Sequence, residues 1–468
     1  MRICVFALGK IGLPLAVQFA GRGHQVVGVD IAPRVVELVN AGLAPFPGES
    51  GLDEALKQVV AEGRLTATTE AVAAVSGCEA VVIVVPLIVD AHGVPDFGAL
   101  DAATSATAAG LRPGTLVSYE TTLPVGTTRG RFAPMLEAGS GLVAGRDFAL
   151  VFSPERVSSG RIFADLRRYP KLVGGLDAAS AERGVAFYEQ VLEFDERRDL
   201  ARPNGVWNLG GAEAAELAKL AETTYRDVNI GLANTFARYA DRIGVDVTDV
   251  IEACNSQPFS HIHQPGIAVG GHCIPVYPRM YLWNDPDAAV VREARASNAA
   301  MPDYAVELLA AEHGGLDGAR VVVLGVAYRG GVKETAFSGV FPTVEALSAR
   351  GAAAFVADPM YTEDEIRALG FEPYVPGSPV DAAIVQSDHR EYRELTPDDL
   401  PGIRTLVDGR RITDPQAWTA VRRRLIGAGG AGGAAGTCGA GGAAGTCGAG
   451  DAGDAGGAGD AGSTDGTR

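Results

Sequence analysis

The sequence predicts an α/β protein in which two open, doubly wound parallel sheets are joined by a long central helix and followed by a disordered C-terminal tail. Three observations carry this. Short apolar runs alternate with helical stretches over the first half, a proline-free Ala/Leu/Glu-rich stretch runs from Gly211 to Ile243, and a second alternating block begins at Arg320. In the first block Ile3–Leu8, Gln25–Val29, Ala80–Val85, Leu116–Tyr119 and Ala149–Phe152 read as strands. The central stretch reads as one helix of roughly 45–50 Å at ~1.5 Å per residue. Two shorter helices broken near Gly231 are the alternative, since an interior glycine costs about 1 kcal/mol. In the second block Val321–Leu324, Ala353–Ala357, Ala382–Gln386 and Thr405–Val407 read as strands. The expected divisions are a first α/β domain over 1–205, a central helical domain over 206–302, a second α/β domain over 303–426 and a tail over 427–468.

A net charge of −17 argues against a general nucleic-acid binder but does not exclude a phosphate-bearing small substrate, which local groups would hold. Six cysteines without ligand spacing argue against a metal site and fit a reducing compartment. The first residues read as a strand and not as a signal peptide, and the apolar run Ala80–Val85 is far too short to cross a bilayer. A cytoplasmic protein without membrane or nucleic-acid partners is expected. Residues 427–450 contain only Gly, Ala, Thr and Cys, and AGGAAGTCG recurs from Ala431 and from Ala440. Read as nucleotides, the string encodes an acidic, Glu-rich segment; a low-complexity tail and a transcription artefact both stay open. Cys438 and Cys447 carry no functional weight on either reading.

Ala7-Leu8-Gly9-Lys10-Ile11-Gly12 follows the first strand and opens a helix, a GxGxxG pattern with alanine at the first glycine. Backbone amides at such a helix start bind a pyrophosphate, so the first domain is expected to be Rossmann-like, as is the second. Gly9 lets the backbone approach the phosphates and Gly12 lets the helix pack on the strand. Alanine at position 7 is compatible with the turn only at negative φ. Asp30 ends the second strand about 20 residues on, where a carboxylate accepts the adenine ribose and favours NAD over NADP. An ordinary strand-end turn residue is the plainer reading of Asp30.

Gly270-Gly271-His272-Cys273-Ile274-Pro275 places one cysteine in a glycine-bounded turn. The glycines are expected to let a substrate approach the backbone. By itself the cysteine is either a small core residue or a nucleophile.

Val85-Pro86, Glu120-Thr121-Thr122-Leu123-Pro124-Val125-Gly126-Thr127-Thr128, Ser153-Pro154-Glu155-Arg156, Glu216-Leu217-Ala218-Lys219-Leu220 and the Cys273 turn occur in that order. Over about residues 1–425 this resembles the UDP-glucose/GDP-mannose dehydrogenase family of NAD-dependent nucleotide-sugar 6-dehydrogenases. The GGHCIPV form looks most like the branch acting on UDP-N-acetylhexosamines (UDP-ManNAc or UDP-GlcNAc). The resemblance implies oxidation of a sugar C6 alcohol to a carboxylate, with two NAD reduced per turnover and a UDP-sugar as substrate. Cys273 would be the nucleophile, Lys219 the oxyanion stabiliser, Glu155 the acid/base for thioester hydrolysis, and Thr122 the holder of the catalytic water. Gly9, Gly12, Asp30, Pro86 and Thr122 would contact the cofactor; Glu155, Lys219, Gly270 and Gly271 would contact the substrate. Leu324-Gly325-Val326-Ala327-Tyr328-Arg329 and Asp408-Gly409-Arg410 resemble the family's nucleotide-binding elements, making Arg329 and Arg410 candidates for phosphate contacts. A homodimer through the long helix is implied by the resemblance alone.

The plainer readings are a Lys219 pair with Glu216, a Glu155 salt bridge with Arg156, a turn hydroxyl at Thr122, and solvated arginines at 329 and 410. Several positions depart from the family. Tyr277 stands where an aspartate is usual, Thr223 for an asparagine, Phe259 for an arginine, Leu87-Ile88 for Thr-Pro, and Ala336-Phe337-Ser338 for Arg-Glu-Ser. A tyrosine near pKa ~10 donates a hydrogen bond but is a poor base at neutral pH. Either the proton travels through Thr122, water and Glu155, or His261 or His263 takes the displaced role. The competing functional readings are an oxidoreductase that stops at the C6 aldehyde and a catalytically silent nucleotide-sugar-binding protein.

Overall fold

The computed structural model describes residues 1–90, 93–158 and 160–429. The first sheet contains β1 (Arg2–Phe6), β2 (Gln25–Val29), β3 (Leu65–Thr68), β4 (Ala80–Ile83), β7 (Leu116–Tyr119), β8 (Ala149–Phe152), β9 (Lys171–Gly175) and β10 (Val206–Gly211). A small antiparallel pair, β5 (Ile88–Val89) and β6 (Pro95–Asp96), hangs beside it. The eight strands run in the order β10-β9-β8-β7-β4-β1-β2-β3, parallel throughout except for β8 against β9. Both faces are buried, so the apolar runs are continuous. Ile3, Val5, Val82 and Val151 feed one core, and the alternate residues Cys4, Phe6, Val81 and Ile83 feed the other.

The second sheet repeats the plan with β11 (Arg320–Leu324), β12 (Ala353–Ala357), β13 (Ala382–Val385), β14 (Thr405–Asp408) and β15 (Arg422–Leu425), in the order β12-β11-β13-β14-β15 and all parallel. Val321 and Val323 enter one core while Val322 and Leu324 enter another.

One unbroken helix, Ala212–Ile243, stands between the sheets. Ala212 and Ala215 pack into a core of the first sheet, Leu220 into a small apolar cluster, and Ala233, Ala237 and Ala240 into a core of the second. The break at Gly231 does not occur. A Cβ at Gly231 would stand 3.0 Å from the Ala294 carbonyl oxygen, so glycine is what lets the helix Ala289–Ala299 lie close alongside. A buried polar ladder fixes the register of the two helices: Asn298 donates to Asp227 at 2.8 Å, and Asn234 donates to Asn298 at 2.8 Å.

The expected tail start needs correction. Gly427 and Gly429 donate their amides to Asp241, and the Gly427 carbonyl accepts from Val247. These residues are therefore held against the central helix. The rest of the expected disordered tail, with Cys438 and Cys447, lies outside the described residues.

Replacing Gly231 by valine is expected to destabilise the protein by about 1–3 kcal/mol through overpacking against Ala294. The shift in the denaturant midpoint measures it.

Candidate active site

The turn after β1 leads into the helix Gly12–Gly21. Ala7 has φ +69°, correcting the expectation of negative φ there. The turn needs the left-handed conformation, which costs an alanine roughly 1–2 kcal/mol. The packing behind it explains why the turn persists. Ala7 donates to the Val29 carbonyl at 2.8 Å, Leu8 donates to Asp30 Oδ2 at 2.8 Å, and a Cβ at Gly12 would stand 1.9 Å from the Ala7 oxygen. Gly9 faces open space, and no side chain caps the helix start. This cradle of free room and uncapped amides fits a pyrophosphate. Asp30 accepts Leu8 through one oxygen and Ala32 through the other, so it also performs the strand-end role. Pro86 is exposed just beyond β4, and Leu87 packs with Leu220, Val276 and Tyr277.

The cysteine turn is held by the second α/β domain. A Cβ at Gly270 would stand 2.4 Å from Tyr328 Cβ; one at Gly271, where φ is +90°, would stand 3.2 Å from the Tyr328 ring. Tyr328 occupies the space that the sequence reading reserved for substrate. Gly271 donates to the Ala336 carbonyl at 2.8 Å, a backbone contact indifferent to the replaced side chain at 336. Arg410 donates to the carbonyls of Gln386 (2.8 Å) and Tyr328 (3.0 Å), so it is no solvated arginine but a brace under the platform. Arg329 is exposed, its guanidinium 5.8 Å from the Tyr328 ring centroid. Glu334 joins the parts: it pairs with Lys10 of the glycine turn at 3.2 Å and faces His272 at 3.5 Å.

Cys273 is exposed. Its carbonyl accepts from Tyr277 at 2.9 Å at the start of the helix Tyr277–Asn284. The Tyr277 hydroxyl lies within electrostatic reach of the Thr122 hydroxyl and the Cys273 thiol. Burial, reinforced by the thiol, pushes this phenol well above its ordinary range, so it is a donor. The Lys219 ammonium lies 5.8 Å from the Tyr277 ring centroid. Cys273 with Tyr277, Thr122 and Lys219 thus meet from three separate stretches of chain.

Lys219 is buried and makes no ion pair among the described residues. Glu216, the partner on the plainer reading, is taken elsewhere. Its carboxyl accepts the Gly126 amide (2.6 Å), the Thr128 amide (2.9 Å) and the Thr128 hydroxyl (2.7 Å), and burial pushes its pKa up to about 7. Thr223 donates its hydroxyl back to the Lys219 and Leu220 carbonyls, each at 3.0 Å, and so is not aimed as an asparagine amide would be.

Glu155 pairs with buried Lys171 at 2.8 Å and not with the Arg156 guanidinium, which reaches Glu222 of the central helix at 2.7 Å. Glu120 shares Lys171 at 2.6 Å. Neither Glu120 nor Lys171 has a role legible in the sequence; the one signal for Lys171 is a cation opening an apolar run. Beside Ile274, a cavity of about 360 Å3 is lined by Glu222, Thr223, Tyr225, Arg226, His263 and Ile274. His263 lines it; His261 is exposed and contributes its carbonyl to Asn229. Phe259 is 93% exposed.

Family comparisons match the UDP-glucose/GDP-mannose dehydrogenase NAD binding domain over residues 1–192, the central domain over 213–300 and the UDP binding domain over 322–415. A UDP-N-acetyl-D-mannosamine dehydrogenase of Pyrococcus horikoshii is 36% identical over 88% of this chain and 96% of its own. An NDP-N-acetyl-D-galactosaminuronic acid dehydrogenase of Ralstonia solanacearum is 30% identical over 90% and 97%. Among solved structures, the UDP-D-ManNAc dehydrogenase of Pyrococcus horikoshii superposes with a TM-score of 0.80 at 33% identity, covering 91% of this chain and 99% of the other. A UDP-glucose dehydrogenase from Pyrobaculum islandicum gives 0.79 at 28%, covering 91% and 98%.

Ala7→Gly is expected to stabilise the protein by about 0.5–1 kcal/mol, the left-handed strain relieved less the added chain entropy. An unchanged or lower thermal midpoint would contradict this account of the turn.

Proposed function

The chain belongs to the UDP-glucose/GDP-mannose dehydrogenase family of NAD-dependent enzymes acting on UDP-sugars, and from that premise we propose that it oxidises the C6 hydroxyl of a UDP-N-acetylhexosamine or UDP-glucose to the uronic acid through a thioester on Cys273. The observation that carries this is the meeting of Cys273, Lys219 and Thr122 around Tyr277.

NAD, when bound, supplies the hydride acceptor for both oxidations. Gly9 and the helix start at Gly12 would hold its pyrophosphate, Asp30 its adenine ribose, and Pro86 and Thr122 would border its reactive end. The Cys273 thiolate adds to the C6 aldehyde, forming a C–S bond, while the Lys219 ammonium stabilises the oxygen that becomes negative. After the second oxidation the acyl group is a thioester. Thr122 orients a water, Glu155 takes one of its protons as the water oxygen bonds to the carbonyl carbon, and the C–S bond breaks with sulfur leaving as thiolate. Tyr277 donates a hydrogen bond at the reacting centre and leaves the base role to Glu155. The cavity beside Ile274 takes the sugar, with Arg329 and Arg410 toward its phosphates.

Tyr225, Leu232, Phe236, Tyr239 and Ile243 expose apolar surface at steps of three, four and seven along the central helix, which supports a homodimer through this face. No described helix is long and apolar enough to cross a membrane, in keeping with a cytoplasmic setting.

A panel of UDP-hexoses with NAD, followed by absorbance, tests the proposal: two NADH form per sugar consumed, and Cys273→Ala forms no acid. Acid formation at the native rate by that variant would end the mechanism. Tyr277 motivates the second reading, release of the C6 aldehyde, for which the yield is one NADH per sugar.

Tyr277→Phe is expected to lower kcat by about 10²-fold with the fold intact, as for loss of one oxyanion donor. Tyr277→Asp is expected to fold normally and alter turnover. Single-turnover NADH formation measures both, and unchanged hydride steps in the two variants would put Tyr277 outside the reaction.

A further inference from the structure

The core between the first sheet and the helix Ala178–Val191 holds a polar cluster of which the mechanism above uses only Glu155. The Lys171 ammonium, at the start of β9, is 2.6 Å from Glu120 and 2.8 Å from Glu155. The side chains of Lys171, Glu120 and Glu155 are 3%, 0% and 11% exposed, so Glu155 alone reaches outward. Tyr188 donates to Glu120 at 2.6 Å, its ring lies 4.9 Å from the Lys171 ammonium, and its hydroxyl also meets Ser118 at 2.7 Å. The charged and titratable groups facing the trio are Tyr188, Arg156, Asp165 and Tyr169, the last three lining a small space with Glu155 and Lys171. One cation is thus shared by two carboxyls, and a second buried negative charge has no cation of its own.

Resting on the function proposed above, we propose that Glu120 and Lys171 are positioning residues that set the basicity of Glu155, Glu120 holding a proton whose loss frees Glu155 from the full pull of Lys171. Burial pushes Glu120 up to about 7, against the pull of Lys171. Burial also acts to raise Glu155, but the Lys171 charge outweighs it and holds that carboxyl below its usual range. With Glu120 protonated, the lysine serves Glu155 alone and keeps it a weak base. When Glu120 ionises, the lysine divides its field, and Glu155 takes the proton of the hydrolytic water more readily. No redox partner is required; a proton leaves Glu120 to solvent as pH rises. Thioester hydrolysis therefore accelerates through neutrality, while the first hydride step does not follow the same curve.

The test uses the whole protein and two variants. In infrared difference spectra of the unliganded protein, a protonated-carboxyl band is expected to vanish as pH rises through neutrality. Glu120→Gln removes the Glu120 share of that band and leaves the share of Glu216. The Glu120 share persists to higher pH in Tyr188→Phe, because Tyr188 donates to the ionised form. Hydrolysis on the alkaline side falls about tenfold in Glu120→Gln with the first hydride step unchanged. In Tyr188→Phe the rise moves to higher pH. An unaltered band in Glu120→Gln, or superimposable pH profiles in the three proteins, overturns the inference. Failure of the unmodified protein to oxidise any UDP-hexose would strike the proposed function and leave the infrared result standing, so the two failures are told apart.

Discussion

The position of the reactive sulfur depends on a contact that admits no side chain. Gly270 and Gly271 lie so close to Tyr328 that any Cβ there would overlap or crowd it. Tyr328 belongs to the loop after the first strand of the second sheet, and Arg410 holds its carbonyl from the loop after β14. Cys273 is therefore mounted on the second α/β domain, while Lys219 comes from the central helix and Thr122 from the first sheet. Glu334 extends the same mounting to Lys10 of the glycine turn. Anything that repacks Tyr328 displaces the sulfur relative to its partners.

The distribution of buried charge follows from which donors reach which acid. Glu216 is one turn from Lys219 and would neutralise it if free. Three donors from residues 126–128 capture its carboxyl instead, fastening the central helix to the loop that bears Thr122. Under the proposed mechanism the ammonium is left for the oxygen that becomes charged during reaction. An ion pair already made in the resting site would have to be weakened before it could stabilise anything else.

Much of this was legible in the sequence. Gln25–Val29, Leu116–Tyr119 and Ala149–Phe152 stand where the apolar runs put them, because central strands buried on both faces leave continuous patterns. Among the runs missed, two carried charge at their start. β15 reads as three arginines, yet it is an edge strand whose long stems lie along the sheet; β9 opens on a lysine that only its two carboxylates explain. The glycine turn reads correctly as a motif and wrongly in conformation, since the strain at Ala7 is held in part by Val29 and Asp30, which are not local. The glycines of the cysteine turn were attributed to a substrate because a tyrosine about 55 positions away leaves no trace in local spacing.

Tyr277 is where the chain's own chemistry diverges from the pattern it resembles. A carboxylate beside Lys219 would offset the ammonium and offer a local base. The phenol does neither, since burial keeps it protonated. Under the proposed mechanism Lys219 serves the reacting oxygen without an opposing charge among the described residues. The consequence is that the proton of the hydrolytic water has no acceptor beside the cysteine. The carboxyl proposed for that proton is Glu155, carried on the loop after β8 whose Arg156 grips the central helix at Glu222. Replacing the aspartate thus moves the burden of the hydrolytic step onto Glu155 and onto the buried lysine that governs it.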